Sequence, residues 1–232
     1  MIVYYGCVNN DLIEEPTPFL KHHISNRKTE ASYIKCPAFT DYYKNVFVVK
    51  FPYDYSLSYS TKDGKSEIET DFYDQSFFNN NVLVRSLDKD SGLVSLLTPQ
   101  VLYFAEKPLT MTLLAPSMEY NDVNNFCQVI QGEYDIGKHA RAVETAMIIP
   151  SNEKILFKEN DVLHYIKFNT DEKVHFKRFY YTQELDDLLI PQGNKRSYTN
   201  NSRPLQFWYD IVNKSGVIKK IKKNIKQNVM ED

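Results

Sequence analysis

The sequence predicts a mainly β fold, a sandwich or jelly-roll-like barrel, ending in a basic amphipathic helical C-terminal tail. Three observations carry that reading. Short apolar or alternating runs recur along most of the chain, punctuated by Pro, Asn and Asp, as in sandwiches and barrels. Aromatic residues are abundant, with 17 tyrosines and 14 phenylalanines, and aromatic and β-branched side chains favour sheet. The last segment changes character and spaces its apolar residues four apart, a helical stripe.

Composition sets the outer bounds. The 232 residues suit one large domain, or one domain with appendages, and can bury a substantial core. The expected division is a β-rich domain over 1–190, with an irregular arm at about 14–32, and a linker with the helical tail over 191–232. Charged residues are 25% and hydrophobic residues 42%, as in ordinary soluble domains. The net charge of −2 steers the whole protein neither to nucleic acid nor to anionic membranes. There are only 7 glycines, and neither GxGxxG nor GxxxxGK[ST] occurs, so no glycine-rich phosphate loop is expected. Cys7, Cys36 and Cys127 are odd in number and lack a CxxC spacing. That fits a reducing compartment and argues against a disulfide framework or a structural zinc site. "MIVYYGCVNNDLIEEP" has no basic n-region and no long apolar run, so it does not read as a signal peptide. No stretch approaches the roughly 18 apolar residues that a membrane span needs.

The elements follow in order. "IVYYGCV" (2–8) is an apolar run and reads as a strand. "EEPTPFLKHHISNRKTEAS" (14–32), with two prolines and many polar residues, reads as the irregular arm. In "NVFVVKFPYDYSLSY" (45–59), Phe47, Val49 and Phe51 alternate with Val46, Val48 and Lys50. Both faces are mostly apolar, which predicts a strand buried on both sides. Asp63-Gly64 suits the tight turn of a hairpin. A loop then leads into a strand at 82–87. Strand candidates over 93–120 are broken at Pro99, Pro108 and Pro116, because proline cannot donate to a ladder. "EKILFKENDVLHYIKF" (153–168) reads as two strands around the turn 158–161, and "KVHFKRFYYT" (173–182) as an alternating strand. From "TQELDDLLI" onward the chain turns polar, then helical. Val217, Ile221, Ile225 and Val229 form the stripe, and Gly216 is placed to break the helix.

Few residues point to chemistry. His22, His23, His139, His164 and His175 show none of the HxH, HxxxH, HExxH, HxD or HxE spacings of common metal sites. No metal and no cofactor are expected. His164 and His175 fall on strands expected to be neighbours, close enough to meet. No GxSxG or recognisable catalytic cysteine is present, so no catalytic residue is assigned. Cys36 reads as a buried structural thiol. The turn 158–161 has the shape of rim turns in β-clip enzymes, but the rest of their signatures is missing, and it reads as structural.

Two stretches stand out. "GEYDIGKHARAVETAMIIP" (132–150) packs Asp135, Lys138, Arg141 and Glu144 into what otherwise reads as a strand. If 140–149 is a strand, Ala140, Ala142, Glu144, Ala146 and Ile148 share one face, and Arg141, Val143, Thr145, Met147 and Ile149 the other. Glu144 then sits on a roomy, mostly apolar face and needs a partner. Asp135, Lys138, Arg141 and Glu144 are the candidate ligand-binding residues. The plainer alternative is an edge strand with Glu144 in water. In the tail, Lys219, Lys220, Lys222, Lys223 and Lys226 are the candidate partner-binding residues. A basic amphipathic helix meets an acidic partner, anionic lipid or nucleic acid. The plainer alternative docks its isoleucines on the chain's own sheet and leaves the lysines in solvent.

"GEYDIGKHARAVETA", "ILFKENDVLHYIKFNTDEKVHFKRFYYTQEL" and "IKCPAFTDYYKNVFVVKFPYDYSL" resemble an uncharacterised protein family encoded by contractile-tailed phages of marine cyanobacteria and other marine bacteria. The family's form of the first motif is near D-I-G-K-W-F-R-P-x-E. Asp135, Ile136, Gly137, Lys138, Arg141 and Glu144 match it, while His139, Ala140 and Ala142 stand in place of the aromatic pair and the proline. The resemblance spans roughly residues 33–60 and 95–190. It implies a viral origin and brings no activity with it. The expected function is that of a non-enzymatic phage protein acting by protein–protein contact in the virion or its assembly. Its partners would be other phage proteins or further copies of itself, with nucleic acid reached only through the tail. The alternative is a β-barrel protein binding or processing a small metabolite or nucleotide in the infected cell. The expected location is the virion or the host cytoplasm.

Overall fold

Among the described residues, the strands sort into three sheets, and none of these closes on itself. A computed structural model describes residues 1–8, 14–26, 35–62, 65–88, 90–151, 153–189, 210 and 214–230. Among the described residues, strand accounts for 44% and helix for 24%, so the fold is mainly β, as expected. The barrel expected as an alternative does not form. Sheet A runs out at strands paired on one side only, and sheet B ends on a strand of two residues.

Sheet A contains β1 (Ile2–Cys7), β6 (Val82–Ser86), β7 (Ser91–Ala105), β9 (Gln128–Val129), β11 (Arg141–Pro150) and β14 (His175–Arg178). Its order is β14-β1-β7-β11-β9, with β6 on the far end of β7. Sheet B has the order β10-β8-β13-β3-β2. Its strands are β2 (Thr17–Pro18), β3 (Val46–Lys50), β8 (Thr110–Leu114), β10 (Gly132–Asp135) and β13 (Val162–Phe168). The small sheet C joins β4 (Tyr55–Lys62), β5 (Lys65–Thr70) and β12 (Lys154–Phe157). β4 and β5 pair down to Lys62↔Lys65, the hairpin expected there. Its turn residues 63 and 64 lie outside the described residues.

One apolar core joins the inner faces of sheets A and B. Val3, Tyr5, Val101, Tyr103, Val143 and Met147 from sheet A share it with Phe47, Val49, Met111, Leu113, Ile166 and Phe168 from sheet B. β3 is buried on both faces, as its double apolar pattern predicts. Its outer residues Val46 and Val48 lie in a separate cluster with Phe19 and Tyr165. Phe19 belongs to helix α1 (Phe19–Asn26). It stacks on Tyr43, with ring centroids 3.9 Å apart, just beyond helix α2 (Pro37–Tyr42). The arm expected to be irregular thus contains a helix over 19–26, because an apolar sheet face lies beneath it. Residues 27–34 lie outside the described residues.

The outer face of sheet A is covered likewise. Tyr4, Leu102 and Phe104 pack with Leu185 and Leu189 of α5 (Gln183–Leu189) and Ile221 and Ile225 of the last helix. Two short helices, α3 (Gln75–Asn81) and α4 (Asp122–Phe126), fall between α2 and α5 in the chain. The last helix, α6 (Val217–Gln227), follows Gly216, whose φ of 75° is left-handed. Glycine adopts that conformation without a Cβ clash, and the chain breaks there as expected. The rest of the tail, 204–209, 211–213 and 231–232, lies outside the described residues.

Three local expectations change. β7 continues through Pro99. The ladder to β11 skips there: Val143 pairs Val101 and Thr145 pairs Leu96, so Leu97 to Gln100 face Glu144 alone. A proline without an N–H is tolerated where the ladder is interrupted. The two strands expected around the turn 158–161 do form, as β12 in sheet C and β13 in sheet B. Cys36 is exposed, because it precedes α2 at the surface instead of entering a sheet. His164 and His175 do not meet. β13 and β14 lie in different sheets, and His164 instead bonds Thr145 across the core, Nδ1 to Oγ1 at 3.0 Å.

Two measurements test this architecture. Ile221→Ala and Phe19→Ala each remove a fully buried side chain, and each should lower unfolding free energy by about 2–5 kcal/mol. Urea midpoints equal to wild type would show that α6 and α1 do not seal the sheets. The second test uses His164. Burial holds its pKa at about 3, below the ordinary 6.5. The unfolded chain therefore takes up a proton that the folded chain refuses. This contribution to stability is complete above pH 6.5 and is lost as pH falls toward 3, at ~1.4 kcal/mol per pH unit. Urea unfolding between pH 4 and 7 should show that slope, and His164→Gln should flatten it. An unchanged slope would refute a neutral, buried imidazole.

Candidate functional site

The stretch 132–150 proves to be a corner between sheets. β10 begins it in sheet B and β11 completes it in sheet A. Ile136, 2% exposed, sits at the turn. Its N–H donates to the Leu109 carbonyl at 3.0 Å and its carbonyl accepts from the Ala105 N–H at 3.0 Å. It thereby ties the end of β7 to the start of β8. Gly137 is needed for close approach. A Cβ there would stand 2.5 Å from the Lys107 carbonyl oxygen and 2.8 Å from Pro108 Cα.

Asp135 and Lys138 serve this corner. Asp135 accepts the Lys138 backbone N–H at 3.1 Å and pairs with Lys138 Nζ at 2.8 Å. Burial opposes the charge on Asp135, but the bonds and charge of Lys138 hold its carboxyl below the ordinary range. Arg141 opens β11 opposite Tyr103. Glu144 sits at the ladder interruption, half-buried, between the buried Val143 and Thr145. The alanine face of β11 is therefore the outer face of sheet A, and Val143, Met147 and Ile149 turn into the core. Of the four predicted residues, the structure brings together Asp135 and Lys138. A cleft of about 210 Å³ lies elsewhere, bordered by Glu14, Glu15, Lys50, Phe51, Tyr103 and Asn160.

The tail lysines divide into two sets. Lys226 Nζ is 2.6 Å from Glu106 Oε1, and that oxygen also accepts from the Tyr4 hydroxyl at 3.2 Å. Lys222 lies over the Phe104 ring, 5.3 Å from its centroid. Both hold α6 on sheet A. The buried Asn224 adds a polar tie to α5, donating to Glu184 Oε2 at 2.8 Å. Lys219, Lys220 and Lys223 are exposed and make no ion pair among the described residues.

A third constellation has no counterpart in the sequence reading. His22 and His23 of α1 meet Glu119, which lies beyond β8. His23 Nε2 is 3.1 Å from Glu119 Oε1, and His22 Nε2 is 3.6 Å from Oε2. The Tyr165 hydroxyl donates to Glu119 Oε1 at 2.8 Å and accepts the Met118 N–H at 3.3 Å. Burial would raise the Glu119 pKa, but contacts from His22, His23 and Tyr165 bring it down to about 2. Burial and the charge of Glu119 push Tyr165 upward, so its phenol stays a donor. Templates with both histidines at helical or strand spacing overlook adjacent histidines whose third partner is far along the chain. The one signal available was the His-His pair itself.

No protein-family model matches the chain, and no curated protein matches it. Among the described residues, no helix is long and apolar enough to cross a membrane.

The corner predicts that Gly137→Ala destabilises the fold by about 1–3 kcal/mol, because the Cβ would meet backbone atoms that cannot swing aside. Thermal unfolding checks this. A wild-type melting temperature would mean that the 107–109 segment yields freely.

Proposed function

We propose that the chain is a non-enzymatic protein of a contractile-tailed phage, acting by protein–protein contact in the virion or in its assembly. It would do so on a sandwich of sheets A and B, whose inner faces share one core. The observation that carries this reading is the division of labour on α6. Ile221 and Ile225 anchor the helix, and Lys222 and Lys226 are engaged by Phe104 and Glu106. Lys219, Lys220 and Lys223 stay in solvent on a helix that is already rigidly held. A basic ridge on a protein of net charge −2 makes the molecule dipolar. Such a charge distribution favours oriented contact with an acidic protein surface. The partner would be another phage protein or a second copy of the chain. The resemblance of residues 33–60 and 95–190 to a phage family supports the viral setting.

Mass spectrometry of purified particles from the phage that encodes the chain should detect it in defined stoichiometry. Its absence from particles and from assembly intermediates would refute the reading. The triple substitution Lys219→Glu, Lys220→Glu and Lys223→Glu should leave the melting temperature within about 3 °C, as surface changes do. It should lower incorporation into particles roughly tenfold. Normal incorporation would remove the ridge from the contact.

A further inference from the structure

We infer that His22, His23 and Glu119 form a binding site for a divalent transition-metal ion of the zinc class, which clips helix α1 onto the turn after β8. The donor set is two imidazoles and one carboxylate. That set occurs in zinc sites that keep a fourth position open, and in non-haem iron sites. The three ligand atoms lie within 4.8 Å of one another. Two donors on one zinc ion, each roughly 2.1 Å from it, stand about 3.4 Å apart. The observed His23–Glu119 and His22–Glu119 separations of 3.1 and 3.6 Å bracket that spacing.

A hydrogen-bonded clasp without metal is the competing account, and His23 speaks against it. Its side chain is 4% exposed, and its Nε2 has no hydrogen-bond partner of acceptable geometry. The 3.1 Å approach to Glu119 Oε1 is therefore a close contact without the alignment of a hydrogen bond. A buried imidazole nitrogen left in that state is costly. A metal ion lying between the imidazole and the carboxylate would satisfy both. The surroundings are prepared for this. Tyr165 holds one carboxylate oxygen, as outer partners of metal ligands do. The Glu119 backbone is fixed on both sides, its N–H bonded to the Pro116 carbonyl at 3.0 Å and its carbonyl to Asn124 Nδ2 at 2.9 Å. The His23 ring rests on Phe19 at 4.2 Å and meets the His22 ring edge-on at 5.2 Å. The site depends on neither the tail lysines nor a viral setting.

The test uses the tag-free full chain, stripped with chelator and titrated calorimetrically with zinc chloride near neutral pH. One ion should bind per chain and raise the melting temperature, since the ion binds the folded form. Glu119→Gln and His23→Gln should each weaken binding at least 100-fold. Tyr165→Phe should weaken it by about 10–100-fold. Cobalt substitution separates this site from a thiolate site at the exposed Cys36. The cobalt protein should show visible d–d bands without thiolate charge-transfer absorption. Should a ligand variant fail to fold, the wild-type cobalt spectrum still decides. No binding, equal binding by wild type and Glu119→Gln, or thiolate bands would each overturn the inference.

Discussion

The interior strands β7 and β3 must each hide two apolar faces, and the rest of the architecture answers to that constraint. In β7, Val101 and Tyr103 point one way and Leu102 and Phe104 the other, all nearly inaccessible. In β3, Phe47 and Val49 oppose Val46 and Val48. One face of each strand is satisfied where sheets A and B meet. The other would expose a broad apolar surface, which soluble chains rarely leave open. Helices α5 and α6 close one side, and α1 with α2 closes the other.

Docking of α1 and α6 also positions the tail lysines and the His22–His23–Glu119 cluster. The isoleucines of α6 fix which lysines remain in solvent. Lys222 and Lys226 are taken up by sheet A, while Lys219, Lys220 and Lys223 face outward. Phe19 plays the same part in α1. Its ring sits between Tyr43 and Tyr165, and that seat carries His22 and His23 to Glu119. An apolar anchor sets the position, and the polar neighbours on the same helix turn inherit it. The inner core carries its own polar tie, the bond between His164 and Thr145 that spans the two sheets.

The corner at 135–140 shows how local chemistry and topology divide the work. Asp135 and Lys138 close a turn that any Asp-x-x-Lys segment can make. Gly137 and Ile136 let that turn pass close to residues 107–109. Their clustering in the sequence suggested a pocket. In the fold it marks the place where the chain leaves one sheet for the other.

Much of the β framework was legible in the sequence. The two-faced burial of 46–51, the hairpin of 55–70 and the break at Gly216 all follow from spacing over a few residues, because periodicity is a local property. Pro99, His175 and Cys36 were misjudged, since their environments are set by segments far away. The helix of 19–26 was missed for the same reason, its stability coming from the sheet face beneath it more than from its own sequence. By itself the sequence determined which residues are apolar, where strands alternate and where the chain turns. Only the tertiary structure decided which strands share a sheet, which lysines stay free, and that His22 and His23 meet Glu119. Those outcomes depend on closing long loops around a shared core, and such closures leave no periodic trace in the sequence.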